Sequence, residues 1–274
     1  MTKTVAPLTV GIIGGRGQLG AWCGALFQKR GASILVADFG SELSNRDVAS
    51  RADVVVVSVP IGVTESVIEE IVDVLTPRQL LVDLTSVKTP FVPRMERGKS
   101  EVLSIHPMFA PSVASIEEQS CVVCRIRSGE LAIVFEQALS DEGLHLVTMT
   151  PEAHDKMMAI VQGLTHFQAI VAAHCMSALG FEPSETLRSS SPVYRLRLAM
   201  IGRILAQNPR LYAEIQIFNP YVMKVLEELR HSNERLMSLI VARDVDGFVA
   251  EFERVRDSLG PFGAQSIREL EGKL

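Results

Sequence analysis

The stretch Gly14-Gly15-Arg16-Gly17-Gln18-Leu19-Gly20 decides the fold of this 274-residue chain. It follows an apolar run, Leu8 to Ile13, that predicts a buried strand, and it opens a pattern of apolar residues at helical spacing. Its glycines fit G-x-G-x-x-G, a spacing that gives a tight turn, lets backbone approach a pyrophosphate and packs helix on strand. The helix N-terminus then offers unpaired N–H groups to the phosphates. The predicted cofactor-binding residues of this turn are Gly15, Arg16, Gly17, Gln18, Leu19 and Gly20.

The choice of dinucleotide depends on the next strand, Ser33 to Ala37, and on Asp38 at its end. An acid about 20 residues past the glycine turn can accept hydrogen bonds from the ribose hydroxyls of adenosine. NADP enzymes more often carry Arg or Lys just beyond this strand, and Phe39 to Asn45 contains neither. We therefore predict NAD, with Arg16 as the one nearby residue that could reach a 2′-phosphate instead.

The remaining sequence divides into two predicted domains. Further strands are predicted at Ala52–Val59, Leu80–Leu84, Val102–Ile105, Cys121–Ile126 and Leu144–Val147. Because they alternate with helical segments, residues 1–149 are expected to form a Rossmann-type, doubly wound parallel α/β sheet. From Pro151 to Leu179 the chain reads as one long helix, and no convincing strand follows. Residues 150–274 are therefore expected to form an all-α domain.

Composition excludes several classes of function. The chain is 47% hydrophobic and 22% charged with a net charge of −5, and it has no basic stripe to neutralise nucleic-acid phosphates. No apolar run could span a bilayer and no signal peptide is apparent, so we expect a cytoplasmic protein without membrane contact. Cys121 and Cys124 lie three apart in a predicted strand, where they face opposite sides. We interpret them as buried thiols and predict no metal site.

Two polar residues follow predicted strands at the edge where an open α/β sheet binds its ligands. Ser86 follows the strand at 80–84, and His106 follows the strand at 102–105. Pro107 fixes the backbone after His106, and we expect the imidazole to point out of the strand, where it could take up a hydroxyl proton as hydride leaves. Ser86 is a candidate to orient that histidine or to contact the substrate, so both are predicted catalytic residues.

The predicted helical domain holds a second group of candidates. Gln162 and His166 lie four residues apart and share a helix face, with His154 and His174 on either side. Such histidines are more often satisfied core or surface residues than catalytic groups.

Arg203 is a sharper candidate, because it stands among apolar neighbours with no acid within a turn. A cation in such surroundings is costly unless it is paired. Its partner is either a distant carboxylate of the chain or a ligand carboxylate that it binds in bidentate fashion. Arg195 and Arg197 either face solvent or serve the same anion.

Taken in order, these residues resemble the prephenate dehydrogenase (TyrA-type, or cyclohexadienyl dehydrogenase) family over nearly the whole chain. The similarity is greatest to the dehydrogenase portion of the bifunctional bacterial enzymes. The stretches that carry it are Gly14–Gly20, Val57–Pro60, Asp83–Lys88, His106–Phe109, Gln162 with His166–Phe167, Ser190–Leu196, Gly202–Arg203, Ala206–Pro209 and Leu211–Ala213.

The resemblance implies an NAD-dependent oxidoreductase of tyrosine biosynthesis. Prephenate loses hydride from ring C4 to NAD⁺ and CO₂ from C1, which gives 4-hydroxyphenylpyruvate. His106 would bond the C4 hydroxyl with Ser86 nearby, and Arg203 would hold a substrate carboxylate. The substrate-binding residues that it implies are Arg203, His166, Gln162, Arg195 and Tyr212, and Ser58, Pro60 and Ser86 would complete the cofactor site. The helical domain would also form a homodimer.

One departure leaves the substrate open. The family stretch His-Pro-Met-Phe-Gly-Pro-Asp appears here as His106–Ser112, with Ala110 and Ser112 changed. Arogenate and 4-amino-4-deoxyprephenate therefore stay as alternatives to prephenate. We also expect neither a chorismate mutase segment nor a regulatory ACT domain.

Two other classes are disfavoured. The β-hydroxyacid dehydrogenases carry a catalytic lysine with an asparagine four residues later, but here Lys156 is followed at that spacing by Ile160. A non-catalytic NAD-binding sensor would have no need for Ser86, His106 and Arg203 together.

Overall fold

The computed structural model describes residues 8–110, 113 and 115–271. The chain divides into two compact units. The first runs up to Val161 and also includes Arg210–Pro220, and the second comprises Gln162–Pro209 and the residues from Tyr221 onward. The first unit thus includes the first helical residues after Thr150, and a domain boundary at 149/150 stays a prediction.

A seven-stranded sheet forms the centre of the first unit. Its strands are β1 (Thr9–Ile13), β2 (Ser33–Ala37), β3 (Val54–Val57), β4 (Leu80–Asp83), β5 (Glu101–Pro107), β6 (Ser120–Arg127) and β7 (His145–Thr148), in the spatial order β2-β1-β3-β4-β5-β6-β7. The first five in that order are parallel, which confirms the predicted doubly wound α/β sheet.

The sheet departs from the predicted parallel arrangement at one edge. Strand β6 runs antiparallel to β5, and β7 runs parallel to β6. A parallel neighbour would need a crossover connection, usually through a helix, whereas an antiparallel neighbour needs only a loop. The described residues between β5 and β6 contain no helix, so the chain returns antiparallel.

Helices cover both faces of the sheet. They are α1 (Gln18–Lys29), α2 (Asn45–Arg51), α3 (Ile61–Ile71), α4 (Val92–Met95), α5 (Glu130–Asp141), α6 (Pro151–Met158) and the later α10 (Pro209–Phe218). Val54 and Val56 of β3 belong to one core with Phe135 of α5. Val55 and Val57 lie in the other core, with α2 and α3. This burial on both faces explains the unbroken valine run of a central parallel strand.

The second unit is built from helices, and its described residues contain no strand. Its helices are α7 (Thr165–Ala178), α8 (Pro183–Arg188), α9 (Pro192–Leu205), α11 (Val222–Ala242), α12 (Val245–Ser258) and α13 (Phe262–Glu271). The stretch predicted as one helix from Pro151 is α6, a π-helical segment at Ala159–Leu164, and α7 in succession. No described helix is long and apolar enough to cross a membrane.

Candidate active site

The glycine turn lies between β1 and α1, the strand-before and helix-after position that its sequence predicts. Gly14 has a φ of +82°, and a Cβ there would lie 2.3 Å from the carbonyl oxygen of Ser58. A Cβ on Gly20 would lie 2.5 Å from the carbonyl oxygen of Gly14, so α1 packs directly on the turn. Within the described residues, no side chain caps α1 at Gly17, and its first turn holds no acid. Its N–H groups therefore remain available to an anion.

The carboxylate of Asp38 is already engaged by main-chain donors. Its Oδ2 accepts the N–H of Arg16 at 2.8 Å, and its Oδ1 accepts the N–H of Phe39 at 2.7 Å. The Arg16 guanidinium donates to the carbonyl oxygen of Phe39 at 2.7 Å, and the Phe39 side chain is 97% exposed. Asp38 thus joins the glycine turn to the end of β2, and Arg16 places a positive charge beside it.

A dinucleotide fits this edge of the sheet. The uncapped N-terminus of α1 offers N–H groups to a pyrophosphate, and Asp38 offers an acceptor to a ribose, with the cation of Arg16 beside it. Ser58 follows β3 and is half-buried, and the exposed Pro60 precedes α3 at the same carboxyl edge.

His106 lies within β5, and this corrects the expectation that its ring points out of a strand end. It pairs with Val122 of β6, and Pro107 pairs with Cys121. The His106 side chain is only 3% exposed. The antiparallel pairing with β6 extends β5 past the predicted end at Ile105, and the imidazole packs against His154.

Helix α6 places a second histidine beside His106 and a carboxylate beside that second histidine. Nδ1 of His106 lies 2.9 Å from Nε2 of His154, and Nδ1 of His154 lies 2.7 Å from Oδ1 of Asp155. His154 and Asp155 are both fully buried. We call these three residues the histidine relay.

The hydrogen bonds of the relay assign its protons. Asp155 Oδ1 also accepts the N–H of Lys88 at 2.9 Å, and Oδ2 accepts the N–H of Thr89 at 2.7 Å and the Thr89 hydroxyl. An ionised carboxylate only accepts, so Nδ1 of His154 carries hydrogen and its Nε2 is an acceptor. Nδ1 of His106 is then the donor, and its Nε2 carries the lone pair.

The electrostatics of the relay keep its histidines neutral. Burial lowers the pKa of His106 well below 6.5, and the neighbouring His154 and Lys88 lower it further. Burial also lowers the pKa of His154, although its bond to Asp155 opposes that shift. Burial raises the pKa of Asp155, but hydrogen bonds from His154 and Thr89 outweigh it, and the net pKa is lowered. The relay is thus a carboxylate followed by two neutral imidazoles.

Ser86 lies half-buried in the turn after β4, on the same sheet edge as His106. The described residues provide no hydrogen bond between them; the orienting partner of His106 is His154 instead. A role for Ser86 therefore stays a prediction.

The other predicted site residues lie mostly in the second unit. Gln162 lies in the π-helical segment and His166 in α7, both half-buried, and burial lowers the pKa of His166. Arg195 of α9 is exposed and donates to the carbonyl oxygen of Leu187 at 2.9 Å. Tyr212 belongs to α10 of the first unit and is half-buried.

Arg203 does not lie in the apolar surroundings that its sequence neighbours indicate. Its side chain is exposed on α9, as are those of Met200 and Leu205. No carboxylate in the described part of the chain forms an ion pair with it. Its charge is therefore hydrated in the single chain and is available to a ligand carboxylate.

Sequence reasoning missed Asp155, considered Lys88 only as an ambiguous candidate and assigned no role to His154. The available signal was a His-Asp pair in the first turns of a helix that starts directly after the last strand of the sheet. Such a pair can turn a carboxylate and an imidazole toward the carboxyl edge of the sheet, where ligands bind. Treating His154 as an ordinary core histidine overlooked this placement.

These features define a class of protein: one with a Rossmann-type nucleotide-binding domain followed by a helical domain. Residues 29–122 match the prephenate dehydrogenase nucleotide-binding domain, and residues 150–254 match the prephenate dehydrogenase dimerization domain. The chain belongs to the prephenate dehydrogenase family.

Individual relatives agree with this assignment. The chain is 33% identical to the "Probable arogenate/prephenate dehydrogenase" of Methanocaldococcus jannaschii, over 95% of this chain and 62% of that protein. It is 34% identical to the T-protein of Haemophilus influenzae, over 94% of this chain and 69% of that protein. The first of these relatives thus extends well beyond the matched region.

A solved structure shows the same fold. It is the prephenate dehydrogenase from A. aeolicus in complex with hydroxyphenyl propionate and NAD⁺. The TM-score is 0.71 at 19% identity, over 93% of this chain and 98% of that one.

Proposed function

We propose that this protein catalyses the NAD-dependent oxidative decarboxylation of prephenate to 4-hydroxyphenylpyruvate. The observation that carries the proposal is the histidine relay, which supplies a buried neutral base at the carboxyl edge of a dinucleotide-binding sheet. When bound, NAD⁺ supplies the hydride acceptor.

His106 performs the proton transfer in this proposal. Its Nε2 accepts the proton of the C4 hydroxyl while the hydride leaves C4, so that C4 becomes a carbonyl carbon. The bond between C1 and its carboxylate then breaks, its electron pair enters the ring, and the oxygen on C4 regains a proton as the ring becomes aromatic. His154 and Asp155 hold His106 in the tautomer that accepts.

The experiment that tests this function is a substrate panel. Prephenate, arogenate and 4-amino-4-deoxyprephenate are each mixed with the protein and NAD⁺, and NADH is followed by its absorbance. We expect the largest kcat/KM for prephenate, and no turnover of any of the three would reject the proposal.

Arogenate is the second candidate substrate, because the name of the M. jannaschii relative includes it. Arogenate differs from prephenate in the side chain and keeps the C4 hydroxyl, so His106 would serve both. A kcat/KM for arogenate above that for prephenate would favour this alternative.

Arg203 is proposed to bind a carboxylate of the substrate. We expect Arg203→Ala to raise KM roughly 10- to 100-fold with a small effect on kcat, since hydrogen bonds to charged groups contribute about 1.5–3 kcal/mol. Steady-state kinetics with prephenate measure both constants. Arg268→Ala, which removes an exposed arginine of α13, is the matched control. An unchanged KM in Arg203→Ala would remove Arg203 from the substrate site.

The cofactor is proposed to be NAD rather than NADP, with Asp38 as the selecting residue. We expect Asp38→Asn to weaken NAD⁺ roughly tenfold and to weaken NADP⁺ less, because only NAD⁺ offers the carboxylate a 2′-hydroxyl. Arg16→Gln should weaken NADP⁺ more than NAD⁺. Calorimetric dissociation constants measure both effects, and tighter binding of NADP⁺ than of NAD⁺ by the unmodified protein would contradict the assignment.

We also propose a homodimer that forms through the helical domain. The match of residues 150–254 to a dimerization domain supports it, as do the exposed apolar side chains of the second unit. Those with more than half their surface exposed include Met200, Leu205, Met237, Ile240 and Phe252.

A further inference from the structure

Lys88 is a fully buried cation that takes no part in the proton transfer proposed for His106. Its Nζ lies 2.8 Å from Oδ1 of Asp83, and it donates to the carbonyl oxygen of Ile105 at 2.6 Å. Taking two charges out of water costs several kcal/mol each, and an apolar pair of similar volume often stabilises a core equally well. Stability alone is thus a weak reason for a buried ion pair here.

Lys88 contacts Asp155 at one end of the histidine relay and the residue next to His106 at the other. Its ammonium binds the carbonyl of Ile105, the residue directly before His106 in β5. Its main-chain N–H donates to Oδ1 of Asp155, the oxygen that also accepts from His154. A single residue therefore fixes the strand that carries the base and the carboxylate that orients it.

The titratable groups around His106 that the described part of the first unit provides come from four places. They are His154 and Asp155 from α6, Asp83 at the end of β4, Lys88 in the loop after β4, and Cys121 and Cys124 from β6. Burial raises the pKa of Cys121 to about 12 and that of Cys124 to about 11, so both thiols are neutral. Lys88 is the cation of this set, and Asp83 is its direct counter-ion.

We propose that Lys88 is a positioning residue whose buried ammonium holds β5 beside His106 and opposes protonation of the two relay histidines, so that the base is neutral when substrate arrives. The role rests on the proposed function, in which His106 accepts the substrate proton. Asp83 limits the effect, because its negative charge partly offsets that of Lys88.

The proposal predicts opposite shifts from the two halves of the ion pair. Lys88→Met removes a cation, so the pKa of His106 rises by about one unit or more. Asp83→Asn leaves the ammonium without its counter-ion, so the pKa of His106 falls. If Lys88 only stabilised the fold, its replacement would lower the free energy of unfolding and would leave the pKa of His106 unchanged.

The experiment is an NMR titration of the histidine side chains in the substrate-free protein, together with the pH profile of kcat/KM. We expect the acidic limb of that profile to move to higher pH in Lys88→Met and to lower pH in Asp83→Asn. Lys88→Arg keeps the charge and should titrate like the unmodified protein. Lys156→Met removes an exposed lysine of α6 and is the matched control.

If Lys88→Met does not fold, the comparison is made between Asp83→Asn and a double variant that also carries Lys88→Met. Adding Lys88→Met to Asp83→Asn removes both charges, and the double variant should titrate at higher pH than Asp83→Asn alone. Identical histidine titrations in every folded variant would overturn the proposal. If the titrations shift as expected but none of the three candidate substrates is turned over, the electrostatic effect stands and the proposed function fails.

Discussion

We expect the replacement of His106 with asparagine to lower kcat for prephenate by roughly 10²–10⁴-fold, because a positioned base contributes about that much to rate, and to leave the dissociation constant of NAD⁺ within a factor of about two or three. Asparagine has the polarity to remain in the β5 position, but it cannot accept the C4 proton at neutral pH. Stopped-flow absorbance of NADH measures the rate, and calorimetry measures cofactor binding.

A matched control separates the loss of a base from the loss of any imidazole. His145 in β7 is exposed, and His145→Asn should keep the full kcat. If His106→Asn also keeps full activity, His106 is a structural residue and the base lies elsewhere.

We expect the replacement of Asp155 with alanine to lower the free energy of unfolding by roughly 3–5 kcal/mol, the usual cost of removing one partner from a buried charged network. The carboxylate accepts from the ring of His154 and from the main chain of Lys88 and Thr89. Without it those donors stay buried and unpaired, at about 1–3 kcal/mol each before the site relaxes. Urea denaturation followed by circular dichroism measures the change.

The conservative variant Asp155→Asn distinguishes the effect of the network on stability from its effect on the tautomers of His154 and His106. The amide keeps one oxygen acceptor but adds donors, so His154 is no longer held in a single tautomer. We expect a smaller loss of stability than in Asp155→Ala with a comparable fall in kcat. Asp257→Asn, at an exposed carboxylate of α12, is the control. Unchanged stability and activity in both Asp155 variants would show that the relay has no function.

The pH dependence of stability follows from the same carboxylate. Because the folded-state pKa of Asp155 is lowered from 3.8, the folded protein binds the Asp155 proton less readily than the unfolded chain does. The stabilisation is therefore complete above pH about 4 and is lost as the pH falls through the folded pKa. The buried His106 also makes stability rise with pH, because its lowered pKa destabilises the folded protein only below pH about 6.5.

Local chemistry made the glycine turn predictable from sequence. The close contact of Gly20 with the backbone of Gly14 and Gly15 depends on residues five or six positions apart, so the G-x-G-x-x-G spacing specifies the turn. The valine run of β3 likewise indicates burial on both faces. Strand limits were approximate, since they depend on the neighbour with which a strand pairs, as in the extension of β5 by β6.

The histidine relay could not be predicted in this way. His106 and His154 are 48 residues apart, and only the folded sheet with α6 brings their rings to 2.9 Å. The exposure of Arg203 was also missed. Its apolar sequence neighbours indicated a buried helix face, but that face is exposed in the single chain. The π-helical segment at Ala159–Leu164 was also missed, because its residues have an ordinary helical composition.

The most direct test of the central claim is the stoichiometry of the reaction with prephenate. The released CO₂ is counted from substrate labelled in the ring carboxylate, while NADH is followed by absorbance. We predict equimolar CO₂, NADH and 4-hydroxyphenylpyruvate from the unmodified protein, at a rate that falls by the same factor for all three products in His106→Asn. NADH without CO₂, or no NADH from prephenate and NAD⁺, would contradict the claim.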